Sequence, residues 1–108
     1  MTSEPARLIS ADVLAEALDA DSVSAELATA HKALATLGEV EVGLWSAGPG
    51  VDTDVEVDEV FLVLSGQGAV EFDDSSVIEL RPGVLVRLHA GDQTTWQITE
   101  RLTKLYLA

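Results

Sequence analysis

Glu59 stands at the head of the apolar run Val60-Phe61-Leu62-Val63-Leu64, where a carboxylate either does chemistry or requires a partner. If the strand continues unbroken through it, Glu59 shares parity with Val55, Val57, Phe61 and Val63 and points among apolar neighbours. Taking that charge out of water costs several kcal/mol unless a cation or hydrogen bonds compensate. Arg87, Lys104 and the hydroxyl of Tyr106 are the partners available by type, beside water or a ligand. The plainer reading is a glutamate satisfied by such a partner, with no chemistry attached.

The run Asp52-Thr53-Asp54-Val55-Glu56-Val57-Asp58 is rich enough in oxygen to suggest a cation site. Strand geometry argues against it: alternate residues stand roughly 6.5–7 Å apart, whereas calcium gathers several oxygens at about 2.3–2.6 Å. The run also lacks the glycine bend of a calcium loop, so the spacing predicts a solvated acidic face with Val55 and Val57 turned inward. The only histidines, His31 and His89, read as surface or structural residues rather than ligands. There is no cysteine, which excludes thiolate chemistry, disulfides and Cys-based zinc sites.

The elements that must hold these residues are short. From Gly38 onward, apolar segments are separated by Gly48-Pro49-Gly50, Ser65-Gly66, Asp73-Asp74-Ser75-Ser76, Arg81-Pro82-Gly83, Ala90-Gly91-Asp92 and Thr99-Glu100. Turn signals at such intervals predict an all-β sandwich or barrel. Val40, Val42 and Leu44 alternate with Glu39, Glu41 and Gly43, as Trp96 and Ile98 do with Thr95, Gln97 and Thr99, giving each strand one dry face. Val60 to Leu64 does not alternate and predicts a strand covered on both sides, its outer cover supplied by a partner subunit. Val84 to Leu88 is similar, except that Arg87 reaches water or an acidic partner. Asp12 to Leu18 carries apolar residues at helical spacing and predicts a short helix capped by Ser10 or Asp12. Propensity alone would also make Ala25 to Leu37 a helix.

Composition narrows the function classes. Nineteen acidic residues against six basic give a net charge of -13, which repels phosphate backbones and anionic lipid, so neither nucleic acid nor membrane is expected as a partner. The 108 residues suit one domain, and a start without the basic and apolar stretches of a secretory signal predicts a cytoplasmic address.

Glu59, six residues and Gly66 match the end of the first cupin motif; Gly83, five residues, His89-Ala90-Gly91 and Thr94 match the skeleton of the second. The ordered string Val42-Gly43-Leu44-Trp45, Pro49-Gly50, Asp58-Glu59, Ser65-Gly66, Arg81-Pro82-Gly83, Ala90-Gly91, Thr95-Trp96 and Lys104-Leu105-Tyr106 resembles the small single-domain cupins of the ureidoglycine aminohydrolase and ethanolamine-utilisation group, over about Glu39 to Leu107. The resemblance implies a double-stranded β-helix, or jelly-roll barrel, over residues 26–108, preceded by an arm or short helix over 1–25. It also implies an extended strand from Ala28 to Leu37, against propensity, and a homodimer.

Metal-binding cupins generally set two histidines before the glutamate and a third in the second motif. Counting back from Glu59, the pair would fall on Thr53 and Val55, or on Asp52 and Asp54 if the gap is one longer, and the later histidine on Thr94. The aminohydrolases hold manganese with a set that these residues do not reproduce. No metal and no other cofactor is therefore expected. Trp45, Trp96 and Tyr106 fall on motif positions, where they either pack the core or face a ligand. The expected function is a metal-free cupin binding a small polar metabolite through Trp45, Glu59, Trp96, Lys104 and Tyr106. The alternative is a metal-independent acid/base enzyme, an isomerase, epimerase or aminohydrolase-like protein, with Glu59 as the catalytic residue exchanging a proton beside Lys104 or Tyr106.

Overall fold

Residues 7–21 and 27–108 are described by the computed structural model. After a single 3-10 turn, Val13–Ala15, come eight strands: β1 (Asp19–Ala20), β2 (Ala30–Leu37), β3 (Val40–Ala47), β4 (Gly50–Val55), β5 (Glu59–Phe72), β6 (Val77–Leu80), β7 (Leu85–Leu88) and β8 (Gln93–Leu107). All pairings are antiparallel, in the order β1-β2-β3-β8-β5-β6, with β4 also on β8 and β7 also on β5. No helix among the described residues is long and apolar enough to cross a membrane.

The two long strands make the barrel. The first half of β5 lies between β7 and the end of β8, and its second half lies between β6 and the start of β8. Strand β8 is divided the same way, its start bordered by β4 and its end by β3. Both therefore pass from one sheet of a jelly roll into the other, and the β5–β8 register slips between Val63 and Gly68, around Gly66. Bulged passages of this kind are how strands change sheets. Between the layers, Phe61, Val63, Val86, Leu88 and Leu102 pack with Val70, Leu80, Trp96 and Ile98.

In the segment expected to be covered on both faces, Phe61 and Val63 are buried and Val60, Leu62 and Leu64 are half-buried. In β7, Leu85 is 67% exposed, and Arg87 donates to the Asp58 carboxylate at 3.3 Å.

The N-terminal part differs from the helical expectation. Asp12 does cap, accepting from the Leu14 amide, but only one 3-10 turn follows, and by Glu16 the chain is extended. Leu14 is 59% exposed, so the helical spacing finds no core face to bury. A few residues of helix without packing do not offset nucleation. Ser10 instead donates to Glu16, which also accepts from Lys32 of β2 at 2.8 Å. Asp21 accepts from the Thr29 hydroxyl and lies 2.6 Å from His31 Nδ1, and the Thr29 bond first, then His31, holds its carboxyl below the ordinary value. A depressed carboxylate stabilises above its ordinary range, and this tether is lost as pH falls through the lowered value. The strand β2, where propensity favoured helix, follows the resemblance. The expected boundary between residues 25 and 26, like the first residues of the alanine-rich stretch, lies outside the described residues.

Candidate functional site

The acidic run follows the expectation only in part: Asp54 and Asp58 are exposed, but Glu56 is buried and the valines do not turn inward. Asp52 pairs with Trp96, Asp54 with Thr94 and Gly50 with Ile98. Directly opposed residues of an antiparallel ladder share a face. Trp96, Thr94 and Ile98 are buried, so Asp52 and Asp54 stand on the inner face and Val51, Thr53 and Val55 on the outer one. Val55 and Val57, expected inside, are 65% and 60% exposed. The cause is a break in the strand. Between β4 and β5, the Glu56 amide donates to the Asp92 carbonyl and its carbonyl accepts from the Gly91 amide, which clamps the chain to the turn after β7. Glu56 and Glu59 consequently both point inward although three residues apart, and parity counted back from Glu59 fails. Of the two placements for the histidine pair of metal cupins, Asp52 and Asp54 is the one on the inner face.

Glu59 has a partner from the expected set. Its Oε2 accepts from Lys104 Nζ at 2.6 Å, with side chains 12% and 7% exposed. The ammonium also lies 4.7 Å from the ring centroid of Trp45, 4.4 Å from Phe61 and 4.9 Å from Trp96. Three aromatic faces and one carboxylate thus replace the water that a buried ammonium loses. Register explains the gathering: Lys104 pairs with Trp45 of β3 and Val63 of β5, two residues beyond the Phe61–Tyr106 pair. Arg87, the other cation considered for Glu59, is engaged outside by Asp58.

Tyr106 donates its hydroxyl to Glu41 Oε2 at 2.6 Å. Burial first, and then the Glu41 bond and charge, push the phenol up, so at neutral pH it remains a donor. Its ring fits because Gly43 sits opposite: a Cβ there would come within 2.7 Å of the ring.

Sequence reasoning singled out Glu59 and missed Glu56. That side chain is 9% exposed, and its Oε2 accepts from the Thr94 hydroxyl at 2.6 Å and Trp96 Nε1 at 2.9 Å. Two signals pointed to it. A buried indole N–H requires an acceptor, and Glu56 has the parity of Asp52 and Asp54 in the one-residue-longer gap.

Trp45, Glu59, Trp96, Lys104 and Tyr106 all line one cavity of about 410 Å³, with Asp52, Asp54 and Glu56 among its other walls. His31 lies at its edge, tied to Asp21, and His89 is 3.8 Å from Asp92 in a turn away from it.

The residues at the family's ligand places do not fit a transition metal. Asp52, Asp54, Glu59 and Thr94 supply no imidazole, the Glu59 carboxylate is engaged by an ammonium, and the Thr94 hydroxyl is engaged by Glu56. Among the described residues no group of three or more His, Cys, Asp or Glu is placed to hold an ion.

Comparison with solved structures agrees on the fold. A Rhizobium leguminosarum protein of unknown function is 23% identical over 98% of this chain and 96% of its own, with a TM-score of 0.70. An Acidithiobacillus ferrooxidans protein of unknown function is 25% identical over 88% of this chain and 92% of its own, with a TM-score of 0.68. The Clostridium difficile EutQ protein is 18% identical over 75% of this chain at a TM-score of 0.64, and the match spans 61% of EutQ, less than two thirds of its length. Comparison with curated proteins gives no match. The family model described as the EutQ-like cupin domain matches residues 34–106, which contain β5, all of β8 but its last residue, and every wall of the cavity except the segment before β2 and the start of β2. With that match spanning well over half of the sequence and the jelly roll matching in space, the chain belongs to the EutQ-like cupin domain family.

Proposed function

We propose that this cupin binds a small polar metabolite in its barrel without a metal. The observation that carries the reading is the cavity of about 410 Å³, within the range of small-molecule sites, whose walls combine Trp45, Trp96 and Tyr106 with Glu56, Glu59 and Lys104. An apolar surround with a few fixed polar groups orients a ligand. A barrel serving only as scaffold would fill that space with side chains.

The acid/base reading ranks second because both proton carriers are engaged. Glu59 is held by Lys104, and Tyr106 is a donor already committed to Glu41. Turnover would require substrate to displace one of these partners. A thermal-shift screen of small metabolites, repeated on Glu59→Gln, separates the two. The binding reading expects a stabilising ligand with no turnover. Turnover that disappears in Glu59→Gln while binding survives would establish the enzyme instead, and a screen with no stabilising compound would refute binding.

The reading includes a homodimer. Val60, Leu62 and Leu64 are half-buried on the outer face of β5, and Leu85, opposite Leu62, is 67% exposed. An isologous contact across these strands would cover them. A monomer mass independent of concentration would contradict it.

A further inference from the structure

The charges around the cavity do not balance. Its walls carry the carboxylates of Asp52, Asp54, Glu56 and Glu59 against the single ammonium of Lys104, and that ammonium is spent on Glu59. Glu56 is nine-tenths buried, yet the groups donating to it are neutral, an alcohol and an indole, and it forms no salt bridge with any described residue. Both bonds go to Oε2. Among the described residues Oε1 has no hydrogen-bond partner, and no side-chain oxygen sealed from solvent lacks one, so Oε1 keeps access to solvent on a residue that lines the cavity. Asp52, half-buried, and Asp54, exposed at the rim, share the inner face of β4, and each accepts only the amide of the next residue. A carboxylate removed from water without a counter-charge is costly, and a cation delivered to it recovers that cost.

We infer that the ligand of this cavity is a small organic cation, an ammonium or guanidinium compound whose charged end meets Glu56 Oε1. The inference rests on the binding reading and gives it a chemical class. A bare metal ion is disfavoured by the spacing of Asp52 and Asp54 along the strand and by the engagement of Glu59. An alkyl ammonium can be held by one carboxylate, with its chain against aromatic walls. The interior already accommodates that chemistry in Lys104, whose ammonium lies 4.4–4.9 Å from three ring centroids. An anionic ligand would meet Glu56, Asp52 and Asp54 with no unspent cation in compensation.

The only two tryptophans, Trp45 and Trp96, both line the cavity, so intrinsic fluorescence reports occupancy directly. Titration with n-butylammonium and n-butylguanidinium at low salt, against n-butanol and butyrate, is expected to give saturable changes with the two cations. Their affinity should exceed that of butanol at least tenfold, with none detectable for butyrate. Glu56→Gln keeps an acceptor for Thr94 and Trp96 and should lower the preference for the cations over butanol at least tenfold. Asp54→Asn, whose side chain meets only the Val55 amide, should weaken cation binding about threefold and decides the matter if Glu56→Gln does not fold. Butanol or butyrate binding as tightly as the cations, cation affinity unchanged in the folded variant, or no response to either cation would each overturn the inference. The binding reading fails separately: a metabolite screen that returns a neutral or anionic ligand refutes the cation while sustaining binding, and an empty screen refutes both.

Discussion

Lys104→Met is expected to destabilise the barrel by about 3–5 kcal/mol, because it leaves the largely buried Glu59 carboxylate with no counter-charge. Lys104 and Glu59 are 7% and 12% exposed, so solvent does not screen the loss. Glu59→Gln should cost less, about 1–3 kcal/mol. Its amide oxygen still accepts from the ammonium, and the rings of Trp45, Phe61 and Trp96 still surround it. The double variant should recover most of what Lys104→Met loses, since an interior relieved of both charges no longer carries an unpaired one. Denaturant unfolding of the four proteins reads this directly. A Lys104→Met variant within about 1 kcal/mol of the parent would mean that the pair is worth no more than an exposed one.

The second large effect is expected at Gly66, for two independent reasons. Its φ of +91° is one that side-chain-bearing residues rarely adopt, and a Cβ there would come within 2.5 Å of the Leu102 Cα and 2.7 Å of the Arg101 carbonyl carbon. The obstacle is backbone, at the place where β5 and β8 pass between sheets, so neither side can yield without disturbing the bend. Gly66→Ala should therefore cost roughly 3 kcal/mol, conformational strain and overpacking together. Gly83 and Gly91 provide the control. Their φ values are +97° and +90°, but a Cβ at either meets nothing within 4 Å, so alanine there should cost only the conformational part, about 1–2 kcal/mol. Equal unfolding midpoints for all three variants would remove the packing half of the argument.

These glycines also explain why the fold was legible in the sequence. Turn residues at regular spacing and period-two strands signal the barrel through local chemistry, and Glu59 to Gly66 with Gly83 to Thr94 fixes which barrel. Trp45, Lys104 and Tyr106 were readable for the same reason: each lies in a regular strand whose side chains alternate reliably. Asp52 to Asp58 was not, because its facing depends on a contact remote in sequence. The bonds from Glu56 to Gly91 and Asp92 end the strand and invert the parity, and no local pattern announces them. Glu56 was hidden with them, its role depending on Trp96 and Thr94 across the barrel. Val13, Leu14, Ala17 and Leu18 misled in another way. They have the spacing of a helix that buries a face, yet Leu14 and Ala17 stay exposed and Val13 and Leu18 are only half-buried.

The charge held against Glu59 in the barrel is that of the Lys104 ammonium, at 2.6 Å, and not a metal ion's. Metal content of the protein purified without chelator, read by native mass spectrometry and elemental analysis of the same sample, tests this most directly. Far less than one equivalent of manganese, iron, nickel or zinc per chain is expected. A stoichiometry near one would contradict it.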